Sequence, residues 1–273
     1  MRQLVLGNAR IVCLDEIVHG TLVVGADGLI ESLSSSPTAV PDAVDCEGDY
    51  LVPGLVELHT DNLERYFTPR PGVDWPGRSA VVTHDAQIVA AGITSVFDAL
   101  ALGDVVHGSD RLRNLRLMID ALHDAEVEQI HRADHFLHLR CEVSFAGAFT
   151  LFESLVDHPL VRLVSVMDHS PGQRQFARED KYREYYQGKY GFSDAQLDAF
   201  IARQIDASAR YAEPYRTAIV AACRQRGIPV ASHDDATLEH VRIQPPRHAG
   251  GGVSNHPGGR PRLPRIRSEC ADG

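Results

Sequence analysis

The spacing of apolar positions changes character near residue 51. Before that point, short apolar runs (LVLGNARIVCLD, TLVVGADG, LIESLSS) are separated by Gly, Asn and Asp. Short aliphatic and β-branched runs between turn formers read as strands. Ala26-Asp27-Gly28 predicts a tight hairpin turn. Residues 1–50 are therefore expected to form a small β-sheet appendage that carries no chemistry.

From residue 51 strand-like and helix-like segments alternate. LVPGLVELHTD reads as a buried strand, THDAQIVAAG as a helix stopping at Gly92, and ITSVFDAL as a strand. DRLRNLRLMIDALHDAEVEQI places Leu112, Leu115, Ile119 and Leu122 on one helical stripe. DHFLHLRCEVS and VRLVSVMDH read as strands around the helix AFTLFESLVDH. A long helical stretch over about 175–226 is expected to break near Gly188 and Pro214, before the strand IPVASHDD. Repeated βα units imply a parallel sheet with helices outside. The expected fold class is α/β, an incomplete (β/α)8 TIM-type barrel over residues 51–241. Residues 242–273 are rich in Pro, Gly and Arg without apolar periodicity, which predicts an aberrant or disordered tail after a truncation or frameshift.

Composition narrows the partners. A net charge of −10 over 273 residues argues against nucleic acid. No apolar run reaches the roughly 20 residues of a membrane span, and the N-terminus lacks a signal-peptide pattern. The five cysteines are scattered and show no CxxC, which fits a reducing cytoplasm and no thiolate zinc site. The expected partner is a small molecule, with a homo-oligomer left open.

The polar ends of the strands carry the chemistry. In an extended segment His59 and Asp61 point the same way, and an imidazole beside a carboxylate at a strand end can share a divalent metal. Asp98 closes ITSVFD; His138, Arg140 and Glu142 alternate onto one face; Asp168 and His169 end the next strand; His233, Asp234 and Asp235 end the last. Barrel enzymes react at the C-terminal ends of their strands. Nitrogen and oxygen donors suit Zn, Mn, Fe or Ni, and donor type alone does not choose among them; the expected cofactor is one or two divalent ions, with Zn named first. His84, His107, His123, His131, His135 and His158 read as ordinary surface residues, and a single His at a strand end is more often a hydrogen-bonded loop residue than a ligand.

PGLVELHTDNLE, PRPGVDWP, HDAQIVAAGITSVFDAL, HLRCEVS, MDHSPGQRQ and ASHDDATLEH resemble the amidohydrolase superfamily, and within it the PhnM-type proteins of phosphonate metabolism. The usual first-strand HxH is His59-Thr60-Asp61 here, a departure characteristic of that subgroup. The resemblance runs from about residue 3 to Val241, and it implies that residues 1–50 are a small β-sandwich portion. It implies α-D-ribose 1-methylphosphonate 5-triphosphate diphosphatase activity in the carbon–phosphorus lyase pathway. It implies metal ligation by His59, Asp61, Glu142, His169 and His233, with Glu142 where the superfamily places a bridging carboxylate or carbamylated lysine. The superfamily's last-strand aspartate, a ligand and general base, has no match; Asp234, beside His233, is the acid named as a catalytic candidate. Arg140 is the foremost candidate for stabilising phosphate charge, ahead of Arg174, Lys181, Arg65 and Arg70. Two other readings stand beside this one: amide hydrolysis on the same metals, and an inactive truncated product.

Overall fold

The computed structural model describes residues 2–70, 72–104, 110–173 and 179–232. The chain divides into two compact units, one running to Gly54 and the other starting at Leu55.

The first unit holds β1 (Leu4–Val12), β2 (Ile17–Val24), β3 (Ile30–Ser34), β4 (Val44–Asp45) and β5 (Tyr50–Leu51). They form one sheet in the order β3-β2-β1-β4, with β5 also on β1. The β1–β2 and β2–β3 pairs are antiparallel, whereas β4 and β5 run parallel to β1. The expected turn joins β2 and β3. Gly28 has φ +80 and donates to the Gly25 carbonyl at 2.9 Å, and Asp27 Oδ1 accepts from the Leu29 amide at 3.1 Å. Positive φ at that place costs glycine nothing. Ala9, Ile11 and Leu22 supply the buried apolar contacts.

The second unit alternates strands and helices: β6 (Leu55–Thr60), α1 (Asn62–Phe67), α2 (Gly77–Ala90), β7 (Ile93–Leu102), α3 (Asp110–Glu128), β8 (Asp134–Glu142), α4 (Ala148–Leu155), β9 (Val161–Met167), α5 (Glu179–Tyr190), α6 (Asp194–Arg226) and β10 (Val230–Ser232). The five strands pair in the order β10-β9-β8-β7-β6, all parallel. Consecutive parallel strands joined through helices are how a (β/α) barrel is laid down, so the α/β partial barrel holds. Its apolar core lies between this sheet and the helices. Leu115, Met118, Ile119 and Leu122 of α3 pack in one cluster with Leu137, Leu139 and Cys141 of β8, Phe152 of α4 and Ile219 of α6.

Three expectations need correction. LVPGLVELHTD is not one buried strand: Leu51 ends β5 in the first unit, and Leu55, Val56 and Leu58 of β6 are 57–58% exposed. Among the described residues β6 pairs only with β7, so it is an edge. The long helical stretch does not break at Gly188 or Pro214, which lie inside α5 and α6. It breaks where Gly191 takes φ +66 and Ser193 and Gln196 form a reciprocal capping box. Finally, β7 runs past Asp98 to Leu102, because ALAL continues the apolar run.

Candidate active site

Strand register decides which side chains share a face. Thr60 pairs with Asp98, and Asp98 with Leu137, so these three point toward the helices. The opposite face carries Ala99 opposite His138 and Ala101 opposite Arg140. β6 and β8 stand two strand spacings apart, about 10 Å. Alanine at both intervening positions puts no bulk between them. Arg140 therefore reaches across β7 and donates from Nη1 to Asp61 Oδ1 at 2.6 Å. His138 likewise meets His59 edge to face, with ring centroids 5.1 Å apart.

Asp61 is not extended. It follows β6 with φ −89 and ψ 2, in the bridge region, as the residue before α1. An aspartate at a helix N-cap usually accepts from the first-turn amides, but this one makes no cap hydrogen bond. Thr60 Oγ1 accepts from the Asn62 amide instead, at 3.2 Å. The Asp61 carboxylate is thus committed to Arg140 and to His59 Nε2, 3.5 Å away. Burial alone would raise its pKa, yet the His59 hydrogen bond and the charges of Arg140, His59 and Arg111 hold it down at about 2. The register shift between Glu57 and Thr60 and the Glu57 Oε1 bond to the His59 amide, 2.9 Å, shape this strand end.

A second pair lies at the ends of β8 and β9. Glu142 Oε2 accepts from His169 Nδ1 at 2.6 Å, while Oε1 accepts from Ser144 Oγ at 2.6 Å and from the His169 amide at 3.2 Å. Glu142 spends both oxygens on protein donors, and the proton on Nδ1 leaves the lone pair of His169 on Nε2. His138 donates Nδ1–H to the Leu58 carbonyl at 3.2 Å, so its lone pair is on Nε2 too. Metal-binding imidazoles are commonly oriented in this way, by a carboxylate or carbonyl on the other nitrogen. His138 is the functional candidate that sequence reasoning passed over as a ligand; its i, i−4 spacing from Glu142 was the available signal.

The expected ligands are thus gathered on one face, but as two pairs, His59–Asp61 and Glu142–His169. His233 and Asp234 lie outside the described residues, as do Arg174 and His107. Arg140 is buried and holds Asp61. Lys181 is exposed and pairs with Glu184 at 2.6 Å, and Arg70 is exposed. Asp168 is buried, accepting from Ser208 Oγ at 2.8 Å and the Ser170 amide at 3.0 Å.

Asp98 and two of the supposed surface histidines belong elsewhere. His84 is 1% exposed, His135 2% and Asp98 0%. Asp98 accepts from His84 Nε2 at 2.6 Å and from His135 Nδ1 at 2.7 Å, on the helix side of the sheet. Among the described residues these three form the one trio of His and carboxylate donors lying within 4.8 Å of each other. Burial opposes the charge on His135, but the hydrogen bond and charge of Asp98, followed by the charge of Asp85, raise its pKa. Asp85 in turn accepts from Arg132 Nε at 3.0 Å. Two carboxylates therefore meet two cations, protons satisfy the short contacts, and the group locks α2 to the sheet.

No family model matches the chain. The alpha-D-ribose 1-methylphosphonate 5-triphosphate diphosphatase of Escherichia coli (strain K12) is 52% identical over 238 residues, 87% of this chain and 63% of that protein. The chain thus spans under two thirds of that relative's length. Among solved structures, a D-hydantoinase aligns with TM-score 0.42 and 13% identity over 84% of this chain and 56% of its own. An adenosine deaminase from Xanthomonas campestris with bound Zn aligns with TM-score 0.38 and 14% identity over 83% and 61%. Both likenesses are weak. Over those 238 residues, the chain is similar to the alpha-D-ribose 1-methylphosphonate 5-triphosphate diphosphatase.

Proposed function

We propose that the chain is a metal-dependent diphosphohydrolase that releases pyrophosphate from α-D-ribose 1-methylphosphonate 5-triphosphate and leaves the 5-phosphate, within phosphonate degradation. The observation that carries this reading is the 52% identity over 238 residues. The site geometry supports it. His59, Asp61 and His169 at strand ends, with His138 inside β8, present imidazole nitrogens and a carboxylate, a donor set that suits zinc, manganese, iron or nickel. His233, outside the described residues, would add a further imidazole. A divalent ion held by these residues would supply Lewis-acid polarisation and a more acidic water.

The chain's own groups have separable tasks. Against burial, the His59 hydrogen bond and then the Arg140 charge hold the Asp61 pKa down, and the Arg140 bond aims the carboxylate away from the helix cap. Glu142 fixes the Nδ1–H tautomer of His169, and the Leu58 carbonyl does the same for His138. Glu142 is therefore an orienting carboxylate in this reading rather than a bridging ligand.

The test offers the chain, with added divalent metal, a ribose triphosphate and a cyclic amide. Pyrophosphate release without amide cleavage supports the proposal. Amide cleavage without pyrophosphate release replaces it with the other chemistry of a metal hydrolase, and turnover of neither supports an inactive chain.

A further inference from the structure

β9 ends at Met167, and the chain then turns around His169. Asp168 shapes that turn. Its Oδ1 accepts from the Ser170 amide at 3.0 Å, and its Oδ2 accepts from Ser208 Oγ of α6 at 2.8 Å. An aspartate can close a turn of this kind alone, bonding the backbone two residues on and leaving its second oxygen in water. Here Asp168 and Ser170 are both buried. A carboxylate taken out of water needs its acceptors satisfied, and Ser208 supplies the donor that solvent would otherwise provide. His169 lies between the two residues joined by the turn. Its own amide and its Nδ1 are held by Glu142, at 3.2 and 2.6 Å. The imidazole is thus fixed from β8 on one side and, through Asp168, from α6 on the other.

Serine is a modest choice for the middle of a long helix, because its hydroxyl competes for backbone groups. In α6 that hydroxyl serves Asp168. Ser208, Ala212, Tyr215 and Ile219 fall on one face of α6 by their i, i+4, i+7, i+11 spacing. Ala212 and Ile219 are buried in the main apolar cluster. Tyr215 donates its hydroxyl to the Ala146 carbonyl at 2.8 Å, in the segment that follows β8. The same helix face therefore ties α6 to the segments leaving both β8 and β9. With Ala212, Tyr215 and Ile219 holding α6 in place, loss of the Ser208 hydroxyl frees the turn rather than the helix.

We propose that Ser208 is a positioning residue for the reaction: through Asp168 it holds the turn that presents His169 to the reactive face. The tether rests on the bonds themselves; the proposal rests on the hydrolase reading only for the task of His169, to bind metal through Nε2.

Calorimetric titration of the full chain with zinc, in the absence of substrate, tests the tether. Residues that orient metal-binding imidazoles carry about 10–100-fold in metal affinity, so Ser208→Ala is expected to bind zinc weaker by about that factor. Ser208→Thr keeps a hydroxyl and restores the affinity. Thr217→Ala removes an exposed hydroxyl of the same helix and leaves it unchanged. In a His169→Ala background, Ser208→Ala has no further effect, because its influence passes through that residue. A bond that only supported the fold would weaken both backgrounds alike. Wild-type affinity in Ser208→Ala, an equal loss in both backgrounds, or a wild type that binds no zinc overturns the inference. Pyrophosphate release from the triphosphate is measured separately. Release with zinc affinity indifferent to Ser208 sinks only the inference, and zinc binding that depends on Ser208 without release sinks only the hydrolase reading.

Discussion

Replacing Asp98 with alanine removes the carboxylate that joins β7 to α2 and β8. In the wild type that carboxylate accepts 2.6 and 2.7 Å bonds from His84 and His135 inside a region with almost no solvent contact. Without it, His135 loses the main influence raising its pKa. Two buried N–H donors are then orphaned, at about 1–3 kcal/mol each. The resulting loss of ~4 kcal/mol agrees with about 3–5 kcal/mol for breaking a buried charged pair from one side. Trp75, the single tryptophan, lies in the second unit, so its fluorescence follows that unit's unfolding in urea. With a slope of about 3 kcal/mol/M, the midpoint falls by roughly 1.3 M. Asp98→Asn keeps one acceptor and turns an amide donor on the second imidazole, so roughly half the loss is expected. The group also predicts a pH window. Asp98 has a lowered pKa, so its contribution is present above the ordinary carboxylate value and lost as pH falls through the folded one. His135 has a raised pKa, so its contribution is full below about 6.5 and lost as pH rises through the folded value. Wild-type stability from this group is greatest between those limits, and Asp98→Ala flattens the profile. A midpoint change below about 0.3 M, or an unaltered pH profile, would refute the reasoning.

Three further outcomes follow from the same geometry. Ala101→Leu places a branched side chain between Asp61 and Arg140; it should cost about 1–3 kcal/mol by overpacking and weaken pyrophosphate release more than Ala101→Ser does. Arg140→Met should let the Asp61 pKa rise from about 2 toward the usual carboxylate range, read by NMR titration of the side-chain carboxyl; an unmoved value would show that Arg140 does not hold it down. Ser193→Ala breaks the capping box of α6 and should cost about 1 kcal/mol, measured by the same urea titration, with Ser193→Asp restoring most of it.

The sequence made the parallel βα order legible because apolar runs, glycines and caps act locally. It also made the β8 triad legible, since His138, Arg140 and Glu142 alternate onto one face whatever surrounds them. Other features depended on neighbours. Whether Asp98 ended a strand or crossed its middle was decided by ALAL beyond it and by register with Leu137, which place it under α2 rather than on the reactive face. His84 and His135 look like ordinary helix and strand-start residues until packing buries both against Asp98. The alanines at 99 and 101 carry no visible signal of their own, yet their small size is what brings Arg140 to Asp61 across a strand. That Asp61 gives up its helix cap likewise appears only when its partners are in place.

The central claim is that the strand-end face around His59 and Asp61 performs the hydrolysis. Phosphorus-31 NMR of α-D-ribose 1-methylphosphonate 5-triphosphate, incubated with the chain and a divalent metal, tests it most directly. The account predicts pyrophosphate and the 5-phosphate from the wild type, loss of both signals on metal removal, and loss in His59→Ala. Unchanged product formation by His59→Ala, or a metal-replete wild type that leaves the triphosphate intact, would contradict it.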